Sequence, residues 1–101
     1  MELMIYSVYD SKAEAFLQPF FAVSRGAAVR MFSDAAQDES HAFHKHAEDF
    51  TLFEVGRFDQ VKGVVAPLEA IFALGTALQF VGSVDESPVR LVRGTDSGES
   101  R

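Results

Sequence analysis

The chain has 101 residues, 48% of them hydrophobic, with ten Phe, no Cys and no Trp. That suits one globular domain with a real core and is too short for two; it excludes a collagen-like, disulfide-stapled or mostly disordered protein. Nine Lys and Arg against fifteen Asp and Glu leave a net charge of −6, and the lack of thiols removes cysteine nucleophiles, iron–sulfur clusters and Cys-based zinc sites, in keeping with a reducing cytosol.

The opening Met1-Glu2-Leu3-Met4-Ile5-Tyr6 carries an early acid and no basic segment, so it does not read as a signal peptide. No run approaches the ~18 consecutive apolar residues of a membrane span. The longest uncharged stretch, between Glu69 and Asp85, is interrupted by Gly75, Thr76 and Gln79. A soluble protein without a membrane partner is expected. Residues 34–59 hold seven acids against Lys45 and Arg57, a negative middle that repels phosphate and argues against a non-specific DNA coat.

In chain order, Leu3 to Tyr9 is dense in β-branched and aromatic residues and predicts a strand near 2–9, ended by Asp10-Ser11. Ala13 to Leu17 reads as a turn of helix or a loop, stopped by Pro19 because the residue before proline avoids helical angles. Phe20 to Val23 is a short extended piece. Ser24 is placed to cap a helix near 25–38, with Ala28, Phe32, Ala35 and Ala36 at helical spacing. Residues 40–49 read as a polar loop that carries all three histidines. Phe50 to Phe58 predicts a second strong strand, and Asp59 to Gly63 a hairpin turn that returns near 64–67. Leu68 to Val81 has two readings: a helix broken at Gly75, or, preferred, an irregular stretch followed by a short helix that Thr76 caps. Forty-four of the forty-eight hydrophobic residues precede residue 83, so residues 1–82 are expected to form the domain. Residues 83–101 are then a polar, flexible tail in which Val89 to Val92 offers a short edge strand or docking segment. The predicted class is α+β: a small, mostly antiparallel sheet with one main helix packed on one face and a flexible C-terminal tail.

A half-buried strand should alternate apolar and polar residues, and the two best strands do not. Leu3, Ile5 and Tyr9 lie on one face of the first, Met4, Tyr6 and Val8 on the other; the later strand places Phe50, Leu52 and Phe58 on one face, Phe53 and Val55 on the other. Both faces want cover, and one helix covers one. The other face must meet residues 68–81, a second subunit or a ligand with flat apolar surfaces, because exposed apolar area forfeits about 25 cal/mol per Å². Fourteen residues with a glycine inside make a thin layer, which favours a partner or a homo-oligomer.

For chemistry, His41, His44 and His46 beside Glu48 and Asp49 form the one cluster resembling a metal site, but their spacing matches no standard metal motif and loop histidines left in solvent are the plainer reading. No metal or cofactor is expected. There is no G-x-S-x-G, no glycine-rich phosphate loop and no H-E-x-x-H, and no catalytic residue is assigned. Single-stranded DNA is bound by aromatics that stack on bases and by Lys and Arg that follow the backbone. Tyr6, Tyr9 and Phe53 (with Phe50) near Arg57 and Lys62, and Arg25 and Arg30 at the helix start, are candidates for such a surface. The competing reading makes these aromatics core and these bases scattered solubilising charges.

Several segments also resemble a known family. The opening Ile5-Tyr6-Ser7-Val8-Tyr9-Asp10-Ser11-Lys12-Ala13-Glu14-Ala15, then Pro19-Phe20-Phe21, Gly26-Ala27-Ala28-Val29-Arg30, Phe32 with Asp34, Asp38-Glu39-Ser40 and His46 through Asp59 resemble the small nonstructural protein of gokushoviruses. These are Microviridae, tailless phages with small circular single-stranded DNA genomes. The likeness runs through residues 3–68 and weakens beyond Pro67. It implies a non-structural phage protein of the host bacterial cytoplasm, acting without catalysis in single-stranded DNA genome replication or packaging, with viral replication or capsid proteins, or single-stranded DNA itself, as partners. The alternative is a protein–protein adaptor or assembly factor that binds a viral or host protein and never touches nucleic acid.

Overall fold

The computed structural model describes residues 1–81; the expected domain boundary at 82, the tail over 83–101 and the segment Val89 to Val92 lie outside the described residues. Strand β1 (Glu2–Asp10) is followed by β2 (Ala15–Phe16), β3 (Phe20–Ala22), helix α1 (Arg25–Gln37), a one-turn helix α2 (Ala42–Lys45), a 3₁₀ turn (Ala47–Asp49), β4 (Phe50–Asp59), β5 (Val64–Thr76) and a final 3₁₀ turn (Ala77–Gln79). Every strand pairing is antiparallel, as the α+β reading expects. Strand β1 is central: β4 pairs along one edge, and β2 and β3 share the other, Tyr9 facing Phe16 and Ile5 facing Phe21. Strand β5 lies outside β4.

The secure helix forms as expected. The Ser24 hydroxyl accepts a hydrogen bond from the Ala27 N–H at 3.1 Å, which satisfies one of the four orphan donors of the first turn. Ala28, Phe32 and Ala36 are buried along one stripe, spaced to meet the sheet. They pack with Tyr6, Val8, Leu52 and Phe50 on one side of β1 and β4 to make the hydrophobic core.

Three segments differ from expectation. Ala13 to Leu17 contains strand β2, set up by Glu14 in the left-handed region at φ 57°, so pairing with β1 outweighs the local preference for a turn. The expected polar loop at 40–49 holds α2 and a 3₁₀ turn instead. The His41 ring nitrogen Nδ1 accepts from the Phe43 N–H at 3.0 Å to cap α2, and the Phe43 ring lies 5.3 Å from that of Phe32 and 4.7 Å from that of Phe50. The third is the return strand, which runs past 67 to Thr76; what read as irregular sequence is held extended by β4. Thr76 does cap the short turn after it, in a reciprocal capping box with Gln79.

The long strand is not continuous in register. Glu54 faces Phe72 while Gly56 faces Pro67, so Leu68 to Ile71 bulge away from a single residue of β4, Val55. Val55 is also the extra residue against β1, where Ile5 faces Gly56 and Tyr6 faces Glu54. The bulge reverses the side-chain alternation of β4. Phe58 is therefore on the opposite face from Phe50 and Leu52, against the strict alternation expected from sequence, and its ring meets Phe21 at 5.8 Å. At the same place the strands close up: a Cβ on Gly56 would stand 2.8 Å from the Ala66 carbonyl oxygen.

One buried carboxylate ties helix to sheet. Glu54 is 3% exposed. Its Oε2 accepts from the Tyr6 hydroxyl at 2.9 Å, and the Arg25 guanidinium donates to both carboxylate oxygens at 3.0–3.2 Å. Arg25 lies 4.4 Å over the Phe72 ring, so β1, α1, β4 and β5 all meet there. The Arg25 hydrogen bonds hold the Glu54 carboxyl below the usual carboxylate range in spite of its burial, with Tyr6 and the nearby arginine charges helping.

These contacts fix three outcomes. Tyr6→Phe should cost about 1–2 kcal/mol in denaturant unfolding, since Glu54 keeps its arginine but loses a buried donor. Gly56→Ala should cost about 1–3 kcal/mol, because the methyl meets rigid backbone. The contribution of Glu54 is complete above about pH 4.3, its unfolded value, and is lost as pH falls through its lower folded value. Arg25→Met removes the largest cause of the lowering and leaves burial to oppose it, so unfolding midpoints measured from about pH 5 down to about pH 3 should fall less in the variant than in the parent.

Candidate functional site

Among the described residues, the helix-free face of the sheet is the main open surface. Alternation and register place Leu3, Ile5, Ser7 and Tyr9 of β1 on it, opposite Phe58 and Phe53 of β4 and beside Phe21 and Phe16. Two aromatic groups form there. Tyr9, Phe16 and Phe53 are linked at ring separations of 4.9 and 5.4 Å, and Phe21 sits against Phe58. Phe16 and Phe21 remain 45% and 48% exposed. Between the groups lies a depression of about 270 Å³ lined by Ser7, Phe16, Leu17, Pro19, Val55 and Ile71. The Ser7 hydroxyl donates to the Leu17 carbonyl at 2.7 Å, which holds the β2–β3 link across its wall. No charged side chain among the described strand residues points to this face.

The seven residues singled out for nucleic acid do not converge. Tyr6 is fully buried; its hydroxyl proton is held far above the ordinary tyrosine range, first by burial and then by Glu54, and it has no ring face to offer a base. This corrects the reading of Tyr6 as a stacking residue. Tyr9 and Phe53 belong to the helix-free face. Arg25 is committed to Glu54, Arg30 is exposed on α1, and Lys62 is exposed in the β4–β5 turn. Arg57 pairs with Met4 on the helix side and opens onto a second cleft, of about 620 Å³, with Arg25, Glu54, Glu69 and Phe72. Two arginines and two glutamates cancel there, so the cleft accumulates no positive charge.

The histidines serve local structure. His41 caps α2, and the His44 ring nitrogen Nδ1 meets the Ala36 carbonyl at 2.9 Å, tying α2 to α1; His46 is exposed. Among the described residues no group of three or more His, Asp or Glu is arranged to hold a metal ion, and no helix is long and apolar enough to cross a membrane. The residues missed in sequence are Phe16, Leu17, Phe21 and Ile71. The excess of apolar residues on β1 and β4 signalled that such a face exists, but only the pairing of β2 and β3 with β1 adds these side chains to it.

Residues 3–80 match the family described as Phage ORF5 protein. The match extends beyond the segments quoted above, through β5 and the closing 3₁₀ turn. The chain is also 35% identical over 74 residues to Protein ORF5 of Chlamydia phage 1, covering 69% of this chain and 77% of that protein. No solved structure matches it. With more than three quarters of its length matched, in the order that carries the gokushovirus likeness, the chain belongs to the Phage ORF5 protein family.

Proposed function

We propose that this chain is a non-enzymatic accessory protein of single-stranded DNA phage genome replication or packaging, working in the host bacterial cytoplasm by protein contact. The observation that carries the mode of action is the separation of aromatics from cations. Base stacking needs both on one surface, because phosphate binding gains from accumulated positive charge. Tyr9, Phe16 and Phe53 stand on the uncharged face, whereas Arg25, Arg30 and Arg57 stand on the helix side. An aromatic surface without charge is suited instead to burial against another protein surface, where aromatic residues carry most of the binding energy. The place in replication or packaging rests on kinship with phage proteins and on the gokushovirus likeness of residues 3–68.

Fluorescence anisotropy with labelled single-stranded DNA tests the mode of action. Little or no binding is expected even at about 50 mM salt; tight binding that falls by about 10³-fold or more by about 200 mM would show a phosphate-following DNA binder instead. In the phage, Phe53→Asp should lower the yield of packaged single-stranded genome; an unchanged yield overturns the assignment.

A further inference from the structure

We infer that the helix-free face is closed by a second copy of this chain, in a two-fold dimer in which Phe21 of each protomer enters the depression of the other. This deepens the reading of that face as a protein-contact surface and rests on it.

Self-complementarity is the first argument. A two-fold interface must carry on one surface both the projecting and the receiving part. Phe21 projects, 48% exposed, from β3 opposite Ile5, one strand position from the depression that Ser7 lines. That depression of about 270 Å³ is larger than the ~150 Å³ cavity that accommodates benzene, so a phenyl ring fits.

Charge is the second. The chain carries −6 overall, and among the described strand residues no acid points to this face, so two copies meet here without opposing like charges from their strands. A predominantly apolar, charge-free centre is also the composition of homodimer interfaces rather than of transient ones.

Size and chain course decide among occupants. The uncovered parts of Phe16, Leu17, Phe21, Val65 and Ile71 come to roughly 400 Å², a patch at the scale of functional surfaces on monomers and a suitable centre for an interface of about 800 Å² per partner. The twenty residues after Val81 are poorly composed to cover it. The last described residues lie on the helix side, where the Phe80 ring meets Phe32 at 5.9 Å, and the large apolar residues among the twenty that follow Val81 are Val84, Val89, Leu91 and Val92 alone.

Sedimentation equilibrium of the full chain at about 50 μM should give twice the 11.1 kDa protomer mass. Phe21→Asp, on the projecting part, and Leu17→Asp, in the receiving wall, should each give a monomer with unchanged far-UV circular dichroism. As a check that does not depend on disruption, Phe21→Cys protein mixed with Ile71→Cys protein should cross-link between chains on mild oxidation, with no native thiol to compete. A monomeric parent chain overturns the proposal, including one whose Phe21 is shielded from labelling, which would mean that residues 82–101 cover the face. So does a dimer that survives both substitutions, which would use another surface. Salt-sensitive DNA binding would instead overturn the protein-contact reading, so the two failures are distinguishable.

Discussion

Strands β1 and β4 carry apolar side chains on both faces, and among the described residues a single thirteen-residue helix roofs only one of them. The rest of the structure is arranged around that shortfall. On the roofed side, Phe32 and the small residues Ala28 and Ala36 let α1 approach closely, and Phe43 and Phe80 close the ends of the core. Among the described residues, the short strands and the long β5 widen the sheet rather than add a third layer on its other side. Widening increases the surface to be covered, so the aromatic face grows with every strand recruited.

Glu54 is a charge buried on the roofed side. A carboxylate in that position is costly unless its lone pairs are filled, and Tyr6 and Arg25 fill them from two different elements. Because Arg25 lies in the first turn of α1, directly after the Ser24 cap, the pair sets where the helix begins against the sheet as well as how closely it sits. The arginine is only half covered, with 55% of its side chain exposed, so it keeps hydration that a fully buried partner would lose. Its other face rests on Phe72, which brings the outermost strand into the same arrangement.

Much of this was legible in the residues. Strands β1 and β4, helix α1 with its Ser24 cap, the turn at 59–63 and the Thr76 cap all carry local signals strong enough to survive folding. The doubly apolar strands announced an uncovered face. What was hidden depends on partners distant in sequence. Leu68 to Leu74 has the spacing of a helix, yet pairing with β4 holds its flanks extended; Ala15–Phe16 is too short to show any period; and α2 is one turn stabilised by a histidine cap and aromatic packing. The site was harder still. Tyr6 suits a stacking surface and a core equally until Glu54, forty-eight residues away, is known to receive its hydroxyl, and no periodicity survives the bulge at Val55, which turns Phe58 to the other side.

The interruption in β5 has a consequence for how the molecule meets its own kind. A thirteen-residue outer strand with one charge would ordinarily invite further strands to add on, chain after chain, towards fibres. Here Pro67 lacks an N–H, and Leu68 to Ile71 swing out of line, so no straight ladder of main-chain groups runs along the margin. Addition of a further strand at that margin is therefore interrupted halfway along, and the sheet carries its own stop against open-ended growth in its plane.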